Sequence, residues 1–165
     1  MNLFFVNFTD CKISKTFFEK ILKEIAEKKL ITSTFLTDKN KISLEIILLG
    51  QGKMRGINKR YVGKNQITDV LSFPESEMKK RTKKDLVFVE PPEAEKNLGE
   101  ILLCPSRIKK NAKRFKKDFK EEITFNFIHG FLHLLGYDHK DAETTKEMRA
   151  KEKEITRALD PVVKI

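Results

Sequence analysis

Residues 123–135 read ITFNFIHGFLHLL, a segment apolar nearly all round a helical wheel. A helix of that kind is stable only when buried at the centre of a fold. The rest of the chain must therefore pack around it. Gly136 follows and can end the helix in a left-handed conformation. Residues 3–8, 42–49, 70–73 and 98–103 are short apolar runs that read as strands. Residues 14–29 place Phe17, Phe18, Ile21, Leu22 and Ile25 at helical spacing behind a Ser14 cap. A short helix over 51–61 puts Met54, Ile57 and Tyr61 on one side. Residues 106–120 predict an amphipathic helix with a stripe of Ile108, Ala112, Phe115 and Phe119. A last, highly charged helix spans 141–159, with Pro161 after its end. Residues 75–97, with a basic run at 78–84 and Pro91-Pro92, read as a long surface excursion holding a short strand at 86–89. The pattern predicts an α+β fold: one domain over residues 1–165, a mixed sheet of about four strands flanked by helices, and a central buried helix.

A length of 165 residues fits one domain with a full core. Lys and Arg number 34 against 24 Asp and Glu, a formal net charge of +10. Such an excess attracts polyanions, nucleic acid first and an anionic membrane surface second. Lys109, Lys110, Lys113 and Lys117 cover much of the 106–120 helix, either as phosphate contacts or as a solvated face. No apolar run approaches ~18 residues, so no membrane span is expected. The first ten residues lack the pattern of a signal peptide. Two cysteines, Cys11 and Cys104, make no disulfide framework, and a reducing cytoplasm is the expected compartment.

All three histidines lie in residues 129–139, as HGFLHLLGYDH. His129 and His133 are four apart, so a helix sets both imidazoles on one face, one turn apart. The bend at Gly136 lets the chain return His139 to them. Three neutral imidazoles suit one zinc or a similar transition metal, and leave a coordination position open, as in catalytic sites. The alternative is a structural site closed by Cys104 as fourth ligand. The spacing resembles H-E-x-x-H-x-x-G-x-x-H of zinc peptidases, a zincin-like arrangement. Gly130, however, stands where those enzymes carry their general-base Glu. Glu100, Asp69 and Asp138 are the candidate replacements, with Asp138 better suited to orienting a ligand imidazole.

HGFLHLLGYDH resembles the H-G-x-L-H-L-x-G-Y-D-H signature of the YbeY family of bacterial endoribonucleases. Asn58 and Tyr61, then Thr68 to Pro74 (TDVLSFP), are similar to the family's N-x-x-Y-R and T-D-V-L-S-F-P segments, and Leu98-Gly99-Glu100-Ile101 to its L-G-D-I strand. The likeness covers roughly residues 40–158 and its blocks keep the family's order. It implies one zinc per chain on the three histidines, and single-strand-specific, metal-dependent endoribonuclease activity. It also implies a role in small-subunit rRNA 3′-end maturation and ribosome quality control, with the small ribosomal subunit as partner. The family's Arg after the Tyr is replaced by Val62, and its D-x-P by Asn65-Gln66-Ile67. Arg60 or Lys64, each two positions from Val62, are the substitutes for its charge, and Lys59 adds to the same basic turn. Tyr61 and Phe73 are candidates for stacking on bases, Phe73 fitting a core position better. Two other readings stand beside this one. One is a ribosome-biogenesis binding factor with a metal site and weak or no catalysis, suggested by Val62. The other is a metallopeptidase-like hydrolase, disfavoured by Gly130.

Overall fold

A computed structural model describes residues 2–31, 42–78 and 96–163. Four strands are described: β1 (Asn2–Asn7), β2 (Ile42–Leu48), β3 (Val70–Pro74) and β4 (Lys96–Leu103). The helices are α1 (Lys15–Glu27), α2 (Gln51–Ile57), a single turn α3 (Glu75–Met78), α4 (Pro105–Phe115), α5 (Phe119–Leu134) and α6 (Ala142–Val163). A π-helical turn, Asn58–Val62, continues α2. The sheet order is β1-β2-β4-β3. β1, β2 and β4 run parallel, and β3 is an antiparallel edge strand paired from Val70↔Leu103 to Pro74↔Gly99. This is the mixed four-stranded α+β architecture the pattern predicts.

Strand alternation sorts the apolar residues to two faces. Leu44, Ile46, Leu48, Ile101 and Leu103 meet α1, α4, α5 and α6 through Phe18, Ile25, Ile108, Phe127, Phe131, Met148 and Ile155, all buried in one core. Ile47, Leu49, Leu102 and Cys104 face the other way and pack with Met54 of α2 and Phe73. Ile57 and Tyr61 lie against that smaller core, as the 51–61 spacing predicts. Gly99 has φ +126 and sits where a Cβ would come 2.2 Å from the Phe73 carbonyl oxygen. Only glycine fits there.

Three boundaries differ from expectation. The single helix over 106–120 is two: Lys116 is left-handed at φ 55, and Asp118 accepts from the Lys120 amide to start α5. The break takes Phe115 out of the predicted stripe and leaves it 57% exposed. The last helix continues through Pro161 to Val163. Of the 75–97 excursion, Glu75–Met78 is helical and β4 begins at Lys96, while residues 79–95, with the strand expected at 86–89, lie outside the described residues.

Glu45 is buried on the smaller face, its carboxylate accepting from Asn97 Nδ2 at 3.1 Å. Burial outweighs that hydrogen bond and pushes its pKa up to about 7. The neutral acid is thus the form the fold prefers. Its stabilisation is complete below pH 4.5 and lost as pH rises through about 7. Glu45→Gln should therefore flatten the stability profile between these values. At pH 8 it should raise unfolding free energy by roughly 1–3 kcal/mol over the parent in urea titrations.

Candidate metal centre

The buried helix α5 carries His129 and His133 one turn apart, as its spacing requires. It stops by a Schellman motif: the Gly136 amide donates to the His133 carbonyl at 3.0 Å and the Tyr137 amide to the Leu132 carbonyl at 3.1 Å. Gly136 provides the left-handed residue at φ +95. The same motif orients the His133 ring. The Tyr137 carbonyl, turned back over the helix end, lies 2.9 Å from His133 Nδ1. Two residues on, His139 arrives beside both rings. Ring centroids are 4.7 Å apart for His129–His133, 4.7 Å for His133–His139 and 5.1 Å for His129–His139. One nitrogen from each imidazole lies within 4.8 Å of the others.

The hydrogen bonds make these rings a metal-ready set. His129 Nδ1 is 2.6 Å from Glu152 Oε1, and His133 Nδ1 faces a carbonyl that can only accept. Both Nδ1 atoms therefore carry protons, and both Nε2 lone pairs are left to bind an ion. Burial, with the charge of neighbouring His129, holds His133 below the ordinary histidine range, which keeps it neutral. The residues present thus fit a transition metal such as zinc. His139 is exposed and His129 and His133 are half-buried, so the set faces open space. Two clefts adjoin it. One, of about 450 Å³, runs along the edge strand at Val70, Leu71 and Ser72 and includes His133, Asp138 and Lys140. The other, of about 660 Å³, includes His129, His139, Asp69, Phe125 and Arg149.

Glu152 was not reachable from the histidine motif. It is 7% exposed on α6, in a stripe with Met148, Ile155 and Leu159. An acid at the inward position of an otherwise apolar stripe was its one sequence signal. Asp138 does not take the orienting role. Its carboxylate accepts from the His139 amide and pairs with Lys140 at 2.8 Å, and these contacts hold its pKa below the usual carboxylate range. Glu100 is buried on β4 and is paired in register with Glu45 of the smaller face, away from α5. Cys104 is buried in that smaller core and is no ligand. Asp69 does border the histidines. Asn111 Nδ2 donates to both its oxygens, Arg107 lies 3.9 Å away, and burial still holds its pKa above the ordinary value.

The predicted basic residues sit farther out. Lys59, Arg60 and Lys64 are exposed on and after the π-helical turn, and Lys109, Lys110 and Lys113 are exposed on α4. None of them lines either cleft. Lys117 is committed to Glu122 at 3.0 Å. Arg60 and Lys64 would share a side with Val62 only in an extended chain. The turn is helical and Gly63 is left-handed, so two positions do not return to the same side. Phe73 is 5% exposed and packs edge-on against Tyr61 at 5.9 Å, a core residue rather than a base platform.

Gly130 explains the missing peptidase base. A Cβ there would lie 3.1 Å from Ile101 Cγ2 and 3.2 Å from Val70 Cγ2. Position 130 faces the sheet, and Gly130→Glu should cost roughly 3 kcal/mol or more in thermal or urea unfolding. Glu152→Ala should weaken zinc binding about ten- to hundredfold in chelator competition, with Glu152→Gln, which keeps an acceptor, losing less.

The profile of the family described as Endoribonuclease YbeY matches residues 5–160. An Endoribonuclease YbeY of Thermodesulfovibrio yellowstonii is 32% identical over 155 residues, covering 87% of this chain and 89% of that one. Another, from Bacillus thuringiensis, is 39% identical over 116 residues, covering 70% and 72%. The solution structure of TM1509 from Thermotoga maritima superposes with a TM-score of 0.57 at 26% identity, covering 95% of this chain and 88% of that one. Among the described residues no helix is long and apolar enough to cross a membrane. With profile, relatives and structural neighbour in agreement, the chain belongs to the Endoribonuclease YbeY family.

Proposed function

We propose that this protein is a single-strand-specific, metal-dependent endoribonuclease acting in small-subunit rRNA 3′-end maturation and ribosome quality control. The carrying observation is the convergence of three imidazoles, two with their Nδ1 protons already committed, on an open site between two clefts. Membership of the endoribonuclease family supplies the substrate class, RNA. The metal is Zn²⁺, one per chain, held by His129, His133 and His139, and the compartment is the cytoplasm. Bound there, zinc supplies Lewis-acid charge and a water of lowered pKa.

The chain's own groups do the rest. Glu152 accepts the Nδ1 proton of His129 and fixes that ring's orientation. Asp138, at the rim of the edge-strand cleft, acts as the base that takes the proton of the attacking water or hydroxyl. Arg60, Lys59 and Lys64, on and after the π-helical turn, meet the RNA backbone away from the histidines. Lys109, Lys110 and Lys113 extend the basic surface with contacts that bind phosphates irrespective of sequence. A +10 net charge favours such a polyanion and the small ribosomal subunit as its context.

Purified protein with zinc should cleave single-stranded rRNA fragments and leave casein and duplex RNA intact. EDTA or His133→Ala should lower cleavage by about a hundredfold or more. Metal-dependent binding to small subunits with no cleavage would support a binding factor instead, and cleavage of casein alone would support a peptidase.

A further inference from the structure

The larger cleft beside the histidines holds side chains that the metal set does not use. Thr68 and Asp69 border it on one side, α5 on another and α6 on the third. Phe125, one turn before His129, is half-buried and stacks on the His129 ring at 6.4 Å between centroids, 30° from parallel. Lys117 Nζ lies 5.4 Å from the Phe125 centroid. Arg149 follows the buried Met148 on α6 and is exposed at the cleft. Among the described residues its guanidinium has no ion-pair or hydrogen-bond partner. The acids nearby are already engaged: Glu152 with His129, and Asp69 with Asn111 and near Arg107.

We propose that this cleft is the subsite for the nucleotide flanking the attacked phosphate, with Arg149 contacting its phosphate and Phe125 packing against its base. The assignment rests on the endoribonuclease reading of the histidine centre. A volume of about 660 Å³ suits a ligand of nucleotide size. A free guanidinium binds phosphate through two parallel hydrogen bonds. An aromatic surface beside it receives any base, since every base has a π-face. Both line the cleft that His129 and His139 also line, so a nucleotide held there abuts the histidines. Arg149 brings a positive charge to the cleft beside the histidines.

The test is fluorescence anisotropy of the zinc-loaded protein with a labelled, 2′-O-methylated single-stranded RNA octamer, and with the same octamer lacking its bases. Cleavage of the unmodified octamer is followed in parallel. Arg149→Ala should weaken binding of both octamers about tenfold and reduce the salt slope by about one. Phe125→Leu, which keeps an apolar side chain against His129, should weaken the intact octamer about fivefold and leave the abasic one unchanged. Melting temperature and zinc content should match the parent in both variants. Parental binding and cleavage by both variants would overturn the subsite and leave the nuclease reading standing. So would an equal loss by Phe125→Leu on both octamers. A parent that binds in this residue-dependent way but cuts no RNA would overturn the nuclease reading and leave the cleft as a nucleotide-binding site without a flanking role.

Discussion

Helix α5 can carry the site because it lies almost in contact with the sheet at Gly130. Methyl carbons of Ile101 and Val70 lie 3.1 and 3.2 Å from where a Cβ at that position would sit. This close approach sets the height of His129 and His133 above the edge strand, and with it the depth of the cleft along Val70, Leu71 and Ser72. The same constraint separates the chain from zinc peptidases that share the His spacing. Their base would sit at position 130, and here that position belongs to the helix–sheet contact.

Around this contact, elements serving the fold also serve the site. The Schellman bend that ends α5 satisfies helix carbonyls and, through Tyr137, holds His133 in one orientation. Helix α6 closes the core with Met148, Ile155 and Leu159, and from the same stripe reaches His129 with Glu152. A buried carboxylate is costly unless paired. The His129 proton offsets that cost, so ligand orientation and core stability depend on one hydrogen bond.

Much of this was legible in the sequence because local spacing encodes it. The period of α5, the glycine after it and the confinement of all histidines to 129–139 lead to the histidine cluster without any tertiary information. The strands follow from short apolar runs but their faces do not, since β2 is buried at every position, and family likeness supplies the activity. Glu152 was not legible, since its partner is 23 residues away and its helix is crowded with equivalent acids. The break between α4 and α5 was missed because the apolar period runs on through it, while a left-handed Lys116 and the Asp118 cap decide the outcome. Nothing in residues 58–62 announces a π-helical turn, so the directions in which Arg60 and Val62 leave the backbone were not legible either.

The central claim is that three imidazoles hold one ion and leave it open to substrate. X-ray absorption at the zinc edge of the loaded protein measures this directly. The account predicts four-coordinate zinc with three imidazole nitrogens and one oxygen, the imidazole scattering falling in His129→Ala. A thiolate in the coordination sphere, or zinc bound by fewer than three imidazoles, would contradict it.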